Sequence, residues 1–153
     1  MQCQDIQVDA LFGAAEGIVD KEINMNNWKY VIAVSTENIF EEIEKAYTVN
    51  FSNELKKFIL AHNAASPEKY HFVVNGIERV FGAVLSVNKG EEDVDTIYTA
   101  FRIMNKKEMI PFAIDPFGNY ICCLNNEVLF WEHETENIIS TGLDFSSFIE
   151  SLY

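Results

Sequence analysis

The chain has 153 residues, about the length of one domain. Its content of 48% hydrophobic and 13% aromatic residues supplies a core and excludes intrinsic disorder, which requires low hydrophobicity. The 24 acidic residues outnumber the 11 basic ones for a formal net charge of -13, which opposes binding to nucleic acid or anionic lipid and favours a basic partner.

The acidic charge is concentrated in the C-terminal third of the chain. No Lys or Arg follows Lys107, whereas acidic residues continue to the end. They are Glu108, Asp115, Glu127, Glu132, Glu134, Glu136, Asp144 and Glu150. Two interpretations remain open: the charge maintains solubility, or it attracts a cationic partner.

Cysteine usage predicts a reducing compartment and therefore a cytoplasmic protein. The cysteines are Cys3, Cys122 and Cys123. Neighbours in a strand point to opposite faces, so Cys122 and Cys123 are poorly placed to bridge each other. An odd count without a spaced framework is typical of free thiols. No secretory leader and no apolar run of about 20 residues is present, so we expect no membrane span.

The N-terminal half predicts three helices. Apolar spacing from Asp5 to Asp20 predicts a helix within an N-terminal extension, residues 1–27, that precedes the main domain, residues 28–153. Alternation from Trp28 to Val34 predicts a strand or an extended lead-in. The next helix is capped by Ser35 or Thr36 and buries Ile39, Phe40, Ile43 and Tyr47, and Ser52 caps another that buries Leu55, Phe58 and Ile59.

The middle of the chain predicts a hairpin and one further helix. Asn75-Gly76 favours a type I′ turn between Tyr70–Val74 and Ile77–Phe81. Its predicted core face carries Tyr70, Phe72, Val74, Ile77, Arg79 and Phe81. A short strand is predicted over Val84–Val87. The acidic run from Glu91 to Asp93 is predicted to begin a helix, with Lys106-Lys107 at its C-terminal end.

Residues 109–134 predict a strand, a tight turn and a second hairpin. Asp115-Pro116-Phe117-Gly118-Asn119 has the residues of a turn, and Asn125-Asn126 suits a two-residue hairpin loop. The loop divides the hairpin into two faces. The apolar core face carries Ile121, Cys123, Val128 and Phe130. The other carries Tyr120, Cys122, Leu124, Glu127, Leu129 and Trp131, and is either a semi-exposed binding surface or covered by a helix.

These elements predict an α+β fold in a single domain, a largely antiparallel sheet with helices packed on it. Asp144 is predicted to cap a terminal helix that buries Phe145, Phe148, Ile149 and Leu152.

Catalytic alternatives find little support in the residue spacing. A metal site could be drawn from Cys122, Cys123 and His133, but no Cys-x-x-Cys or His-x-x-x-His pair is present. A cysteine nucleophile with His62, His71 or His133 would have to operate inside an apolar strand, where burial raises the thiol pKa. We therefore predict no catalytic residue, no metal and no cofactor.

The chain resembles the SUKH superfamily, which includes bacterial immunity proteins and fungal cell-wall-assembly regulators. The resemblance covers roughly Trp28 to Leu152. Its most specific motifs are Ile110-Pro111-Phe112-Ala113, Asp115 with Gly118-Asn119, and Phe130-Trp131-Glu132-His133-Glu134. The sequence departs from the family at Phe51-Ser52 and Asn63-Ala64-Ala65, where Leu-Pro and Asn-Gly-Gly are common.

The resemblance implies a domain that binds a protein and has no catalytic residues. The leading hypothesis is an intracellular immunity protein that neutralises a basic toxin domain, with no nucleic acid, membrane or small-molecule ligand. The alternatives are a regulatory adaptor for a cellular protein and a small hydrolase or metal enzyme. The predicted partner-binding residues are Asp115, Asn119, Tyr120, Glu127, Trp131, Glu132, His133 and Glu134.

Overall fold

The computed structural model describes residues 26–105 and 108–153 of the chain. The helix predicted from Asp5 to Asp20 and the basic pair Lys106-Lys107 lie outside the described residues. The described helices are α1 Ile39–Tyr47, α2 Asn53–His62, α3 Ile97–Met104 and α4 Phe145–Glu150. The strands are β1 Trp28–Lys29, β2 Ser66–Pro67, β3 His71–Val74, β4 Ile77–Val80, β5 Ala83–Val84, β6 Ile110–Ile114, β7 Tyr120–Leu124, β8 Glu127–Trp131 and β9 Ile138–Asp144. The α+β prediction is confirmed.

A five-stranded antiparallel meander forms the centre of the fold, with strand order β5-β6-β7-β8-β9. The predicted hairpin loop is confirmed, because Leu124 pairs with Glu127 across Asn125 and Asn126, whose φ angles are 51° and 66°. Asparagine tolerates this left-handed conformation better than most residues. Strand β9 was not predicted from the sequence.

Strand β9 is the last strand of the sheet and pairs irregularly with β8. The register shifts between Glu127 and Leu129. The side chain of Thr141 donates a hydrogen bond to the carbonyl of Val128 at 2.7 Å. A side chain of β9 therefore satisfies a backbone acceptor of β8 at the irregularity.

One face of the sheet packs against a cluster of phenylalanines from β3 and α4. The predicted core-face residues Ile121, Cys123, Val128 and Phe130 are all buried. The ring centroid of Phe72 lies 6.1 Å from that of Phe130 and 5.1 Å from that of Phe148. Offset and edge-to-face contacts of this kind are favoured by the aromatic quadrupole. The core is therefore largely aromatic on this side.

The opposite face of the sheet is covered by α3. Met104 Sδ lies 3.8 Å from Cys122 Sγ. Tyr120 and Trp131 stack with ring centroids 5.7 Å apart, and they are 3% and 2% exposed. The prediction of a semi-exposed binding surface is wrong here, and the alternative of a covering helix is correct. Burying both rings removes more apolar surface from water than leaving them half-exposed would, and this favours the covered arrangement.

The hairpin of β3 and β4 has the predicted register, with Val74 opposite Ile77 and a turn at Asn75 and Gly76. Phe72 and Val74 face the core. Tyr70 and Ile77 are 44% and 53% exposed, so their predicted core positions are wrong. Tyr70 precedes β3 and Ile77 is the first residue of β4, and at the ends of such short strands the alternation of faces does not determine burial.

The segment between β1 and α1 is held by side chains rather than by a sheet. Asn63 Nδ2 donates to the carbonyl of Ile32 at 3.0 Å, and Asn88 Nδ2 donates to that of Ala33 at 3.0 Å. Asn88 Oδ1 accepts from the backbone N–H of Ser35 at 2.8 Å. Only Trp28–Lys29 is therefore a strand, and the remainder of the predicted segment is an irregular lead-in.

The predicted caps of α2 and α4 are as expected, whereas α1 begins differently. Ser52 Oγ accepts from the backbone N–H of Leu55 at 3.1 Å, and Asp144 Oδ1 accepts from that of Ser147 at 2.8 Å. The N-cap of α1 is Asn38, without a side-chain hydrogen bond, rather than Ser35 or Thr36.

Helix α3 begins later than its acidic run predicted. The backbone N–H of Ser86 donates to the carbonyl of Asp95, and that of Ile97 donates to the carbonyl of Ser86, both at 2.9 Å. These bonds keep the chain before Ile97 extended, and Thr96 becomes the N-cap. Residues 91–93 therefore precede the helix instead of forming its first turn.

Candidate protein-binding site

The turn between β6 and β7 is built around the buried carboxylate of Asp115. Oδ1 accepts from the backbone N–H groups of Phe117 and Asn119 at 2.9 and 2.8 Å, and Oδ2 accepts from Asn119 Nδ2 at 2.9 Å. Asp115 itself is 4% exposed, whereas the side chain of Phe117 is 78% exposed. The carboxylate thus fixes a turn that presents an aromatic ring to solvent.

A hydrogen bond ties this turn to the loop after β8. The backbone N–H of His133 donates to Asn119 Oδ1 at 2.8 Å. Strand pairing supports the same arrangement, because Tyr120 lies opposite both Ile114 and Trp131. The two loops therefore leave the sheet at the same end and are fixed relative to each other.

The loop after β8, residues 132–137, is closed by hydrogen bonds of its own. Glu132 N–H donates to the carbonyl of Asn137 at 2.9 Å, and Glu136 N–H donates to the carbonyl of Glu132 at 2.8 Å. Thr135 Oγ1 donates to Glu132 Oε1 at 3.1 Å. His133, Glu134 and Glu136 are left exposed. We call residues 115–119 and 132–137 together the acidic end.

Arg79 joins the β3–β4 hairpin to the acidic end. Its Nη2 lies 3.1 Å from Glu132 Oε2, with both side chains about a quarter exposed, at 22% and 26%. The guanidinium also lies 4.6 Å from the ring centroid of Phe130. Glu132 is therefore paired within the fold, while Glu134 and Glu136 have no ion-pair partner among the described residues.

The predicted site residues have different positions in the structure. Asp115 and Asn119 hold the turn, and Glu132, His133 and Glu134 lie in the adjoining loop. Tyr120 and Trp131 are core residues, and burial raises the pKa of Tyr120. Glu127 is the first residue of β8 and lies at the opposite end of that strand. Five strand residues, about 16 Å, separate it from the acidic end. Its carboxylate contacts Ser140 Oγ.

Sequence reasoning missed two exposed side chains of the acidic end, Phe117 and Glu136. An apolar residue in the middle of a Pro- and Gly-containing turn is a usable signal, since turn positions normally carry polar residues. None of the described elements covers Phe117, and phenylalanine is among the aromatic residues enriched at protein interfaces. Because its turn is hydrogen-bonded to the loop that exposes Glu134 and Glu136, the acidic end is the best candidate surface for a basic protein within the described part of the chain.

The two described cysteines, Cys122 and Cys123, are core residues. Cys122 is fully buried, and burial raises its pKa well above the ordinary thiol range. Burial raises the pKa of Cys123 to about 12. The described residues contain no group of three His, Cys, Asp or Glu side chains that could hold a metal ion. Thiolate chemistry at neutral pH is therefore disfavoured by burial.

We predict that neither Cys122 nor Cys123 reacts with a thiol reagent in the folded protein. In a Cys3→Ser variant, a thiol-specific chromogenic reagent at mildly alkaline pH should modify no cysteine before denaturant is added and two afterwards. The free energy of unfolding should also fall above about pH 9, because the unfolded thiols ionise before the folded ones. Rapid modification of the folded variant would contradict the burial.

Two clefts of the described domain lie away from the acidic end. One of about 380 Å³ lies between the α1–α2 connection and the Asn125-Asn126 loop, with Cys123 and Glu108 in its lining. Another of about 660 Å³ is lined by residues of α1 and α3 that include Tyr47, Tyr98 and Arg102. Neither cleft contains a predicted partner-binding residue.

The fold defines the class of protein: an α+β domain whose helices cover both faces of an antiparallel meander. A family model described as SMI1 / KNR4 family (SUKH-1) matches residues 34–151, and the chain belongs to this family. SUKH domains generally act through protein–protein interaction and are generally non-catalytic. No curated protein and no solved structure matches the chain significantly. Among the described residues, no helix is long and apolar enough to span a bilayer.

Proposed function

We propose that this protein is a cytoplasmic immunity protein that binds a cationic toxin domain and blocks its active site by covering it. The observation that carries the proposal is the acidic end, where the turn that exposes Phe117 is hydrogen-bonded to the loop that exposes Glu134 and Glu136, two carboxylates without an ion-pair partner among the described residues. Membership of a family that acts through protein binding supports it. Two free, buried cysteines are compatible with a reducing compartment.

The charge of the chain supports a basic partner. The net charge of -13 creates a long-range field that accelerates encounter with a cation, and screening by salt weakens that field. The exposed carboxylates of Glu134 and Glu136 would then meet lysines or arginines of the partner. Because these side chains lie at the solvent-exposed rim, we expect them to affect association more than dissociation.

The rigidity of the acidic end supports a specific interface. The Asp115 hydrogen bonds and the bond from His133 to Asn119 order both loops before a partner arrives. An ordered surface loses less conformational entropy on binding than a mobile one. Phe117 would insert into an apolar pocket of the partner and slow dissociation, as buried aromatic anchors do in other interfaces.

Co-expression with the product of the neighbouring gene tests the proposal. We expect the neighbour to arrest growth alone, to be tolerated when this chain is present, and to co-purify with it. The association rate should fall as the ionic strength rises, because the attraction is electrostatic. A neighbour that is harmless alone and does not co-purify would contradict toxin neutralisation and favour a regulatory adaptor.

A further inference from the structure

The carboxylate of Glu132 anchors the loop after β8. One of its oxygens, Oε1, accepts from Thr135 Oγ1 at 3.1 Å within the loop, and the other, Oε2, lies 3.1 Å from Arg79 Nη2 on β4. Thr135 Oγ1 in turn accepts from the backbone N–H of Asn137 at 3.2 Å. The side chain of Glu132 therefore connects this loop to the β3–β4 hairpin.

The loop depends on such contacts because its conformation is unfavourable in itself. Glu136 has a φ of 60°, in the left-handed region that residues with a Cβ rarely adopt. A conformation of this kind persists only where the surrounding contacts hold it. Glu132, Glu134 and Glu136 also bring three negative charges together in a short segment, and their mutual repulsion favours a more open loop.

Arg79 is placed to hold the carboxylate of Glu132. The strand register puts Arg79 opposite buried Phe72, and its guanidinium lies 4.6 Å from the ring centroid of Phe130, where cation–π attraction orients it. Its contact with Glu132 is the one ion pair that the acidic end makes among the described residues.

Packing alone does not explain an arginine at this position. The Nε–H of Arg79 is buried and has no hydrogen-bond acceptor among the described residues. A buried donor without an acceptor costs free energy, and an apolar side chain at the same place would avoid that cost. The contribution that an apolar residue could not make is the ion pair with Glu132.

We propose that Arg79 is a positioning residue for partner binding: by holding Glu132, it keeps the loop in the conformation that presents Glu134 and Glu136 to a basic protein. This inference rests on the proposed function and adds to it a residue outside the acidic end. Arg79 has the same sign of charge as the proposed partner, so its direct electrostatic effect opposes binding. Ordering of the loop favours binding, because an ordered surface loses less conformational entropy.

Two substitutions that break the contact from opposite sides separate these effects. Arg79→Met makes the chain more negative and Glu132→Gln makes it less negative, yet both should loosen the loop. In the free protein, the order parameters of the Glu134 and Glu136 amides from ¹⁵N relaxation should fall from about 0.85 to below about 0.6 in both variants.

Binding of the neighbouring gene's product, used as the probe, should show the same pattern. We expect its association rate to fall several-fold with both Arg79→Met and Glu132→Gln, although their charge changes are opposite. The double variant Arg79→Met/Glu132→Gln should be no more impaired than the weaker-binding single variant, because both substitutions remove the same contact.

Two further variants control for lost charge and lost stability. Lys89→Met removes the same charge and another ion pair, with Glu42 on α1 at 2.9 Å, and should leave the loop ordered. Arg79→Lys keeps the charge but not the planar guanidinium, and should restore part of the order. Chemical denaturation, measured in parallel, establishes that each variant is folded under the conditions of the relaxation measurement.

Two results would overturn the proposal. The first is an unchanged order parameter at Glu134 and Glu136 in folded Arg79→Met and Glu132→Gln. The second is an association rate that rises with Arg79→Met and falls with Glu132→Gln, as net charge alone predicts. If the probe does not bind the unsubstituted chain, the proposed function fails instead, and the order parameters alone then decide whether Arg79 holds the loop.

Discussion

If the proposed toxin domain is the partner, replacing Phe117 with alanine is expected to weaken their complex by about 2 kcal/mol, roughly 30-fold in Kd. The ring is 78% exposed in the free protein, so its loss should change the free energy of unfolding by no more than about 0.5 kcal/mol. Surface plasmon resonance would place most of the change in the dissociation rate, because the ring acts after encounter. Leu60→Ala on α2, which removes another exposed apolar side chain, is the control.

The carboxylates of the acidic end should have a different kinetic signature. Glu134→Gln/Glu136→Gln is expected to lower the association rate several-fold and to reduce its dependence on salt. Glu41→Gln/Glu54→Gln removes the same charge from exposed positions on α1 and α2 and should have a smaller effect. Equal effects of the two double variants would assign the attraction to net charge alone. Unchanged affinity of Phe117→Ala and Glu134→Gln/Glu136→Gln would place the interface elsewhere on the domain.

Replacing Trp131 with alanine is expected to lower the free energy of unfolding by about 3–5 kcal/mol, as for other large core side chains. Trp131 is 2% exposed, and its ring stacks on Tyr120 beneath α3. Its indole N–H has no hydrogen-bond partner among the described residues, so Trp131→Phe loses no internal hydrogen bond and should cost much less. Chemical denaturation of the three proteins measures these differences.

Partner binding by Trp131→Phe separates a core role from a binding role. Because Trp131 is buried in the core, the folded variant should retain its affinity for the proposed partner. A Trp131→Phe protein that has normal stability but binds weakly would indicate that Trp131 contributes to binding. Trp131→Ala is unsuitable for this comparison, because its expected cost is a large fraction of the stability of a typical domain.

Most of the meander could be predicted because its turns depend on local chemistry. Asp115 and the Asn125-Asn126 pair carry the conformational preferences of their own turns, and strand alternation followed from them. Strand β9 was not predicted, because Ile138–Asp144 contains Ser, Thr and Gly and lies at the edge of the sheet. Its pairing with β8 is a tertiary property that the local sequence does not specify.

The candidate site was predicted less well than the fold. Hairpin register correctly placed Tyr120 and Trp131 on one face, but their burial depends on α3, which is remote in sequence. The cap of α3 likewise depends on Ser86, which holds residues before the helix through backbone bonds. Phe117 was overlooked because nothing in a turn sequence specifies whether another element covers its aromatic residue. Long-range packing, not local preference, decided each of these outcomes.

The irregular pairing of β9 has a consequence for the behaviour of this protein at high concentration. An open final strand is a template on which a second copy can extend the sheet, and such growth leads to aggregation. The register shift beside Leu129 and the side-chain bond from Thr141 to Val128 interrupt the regular ladder next to that edge. A bulge of this kind increases local twist and discourages edge-to-edge growth. We therefore expect the described sheet to resist edge-to-edge polymerisation through β9 at high protein concentration.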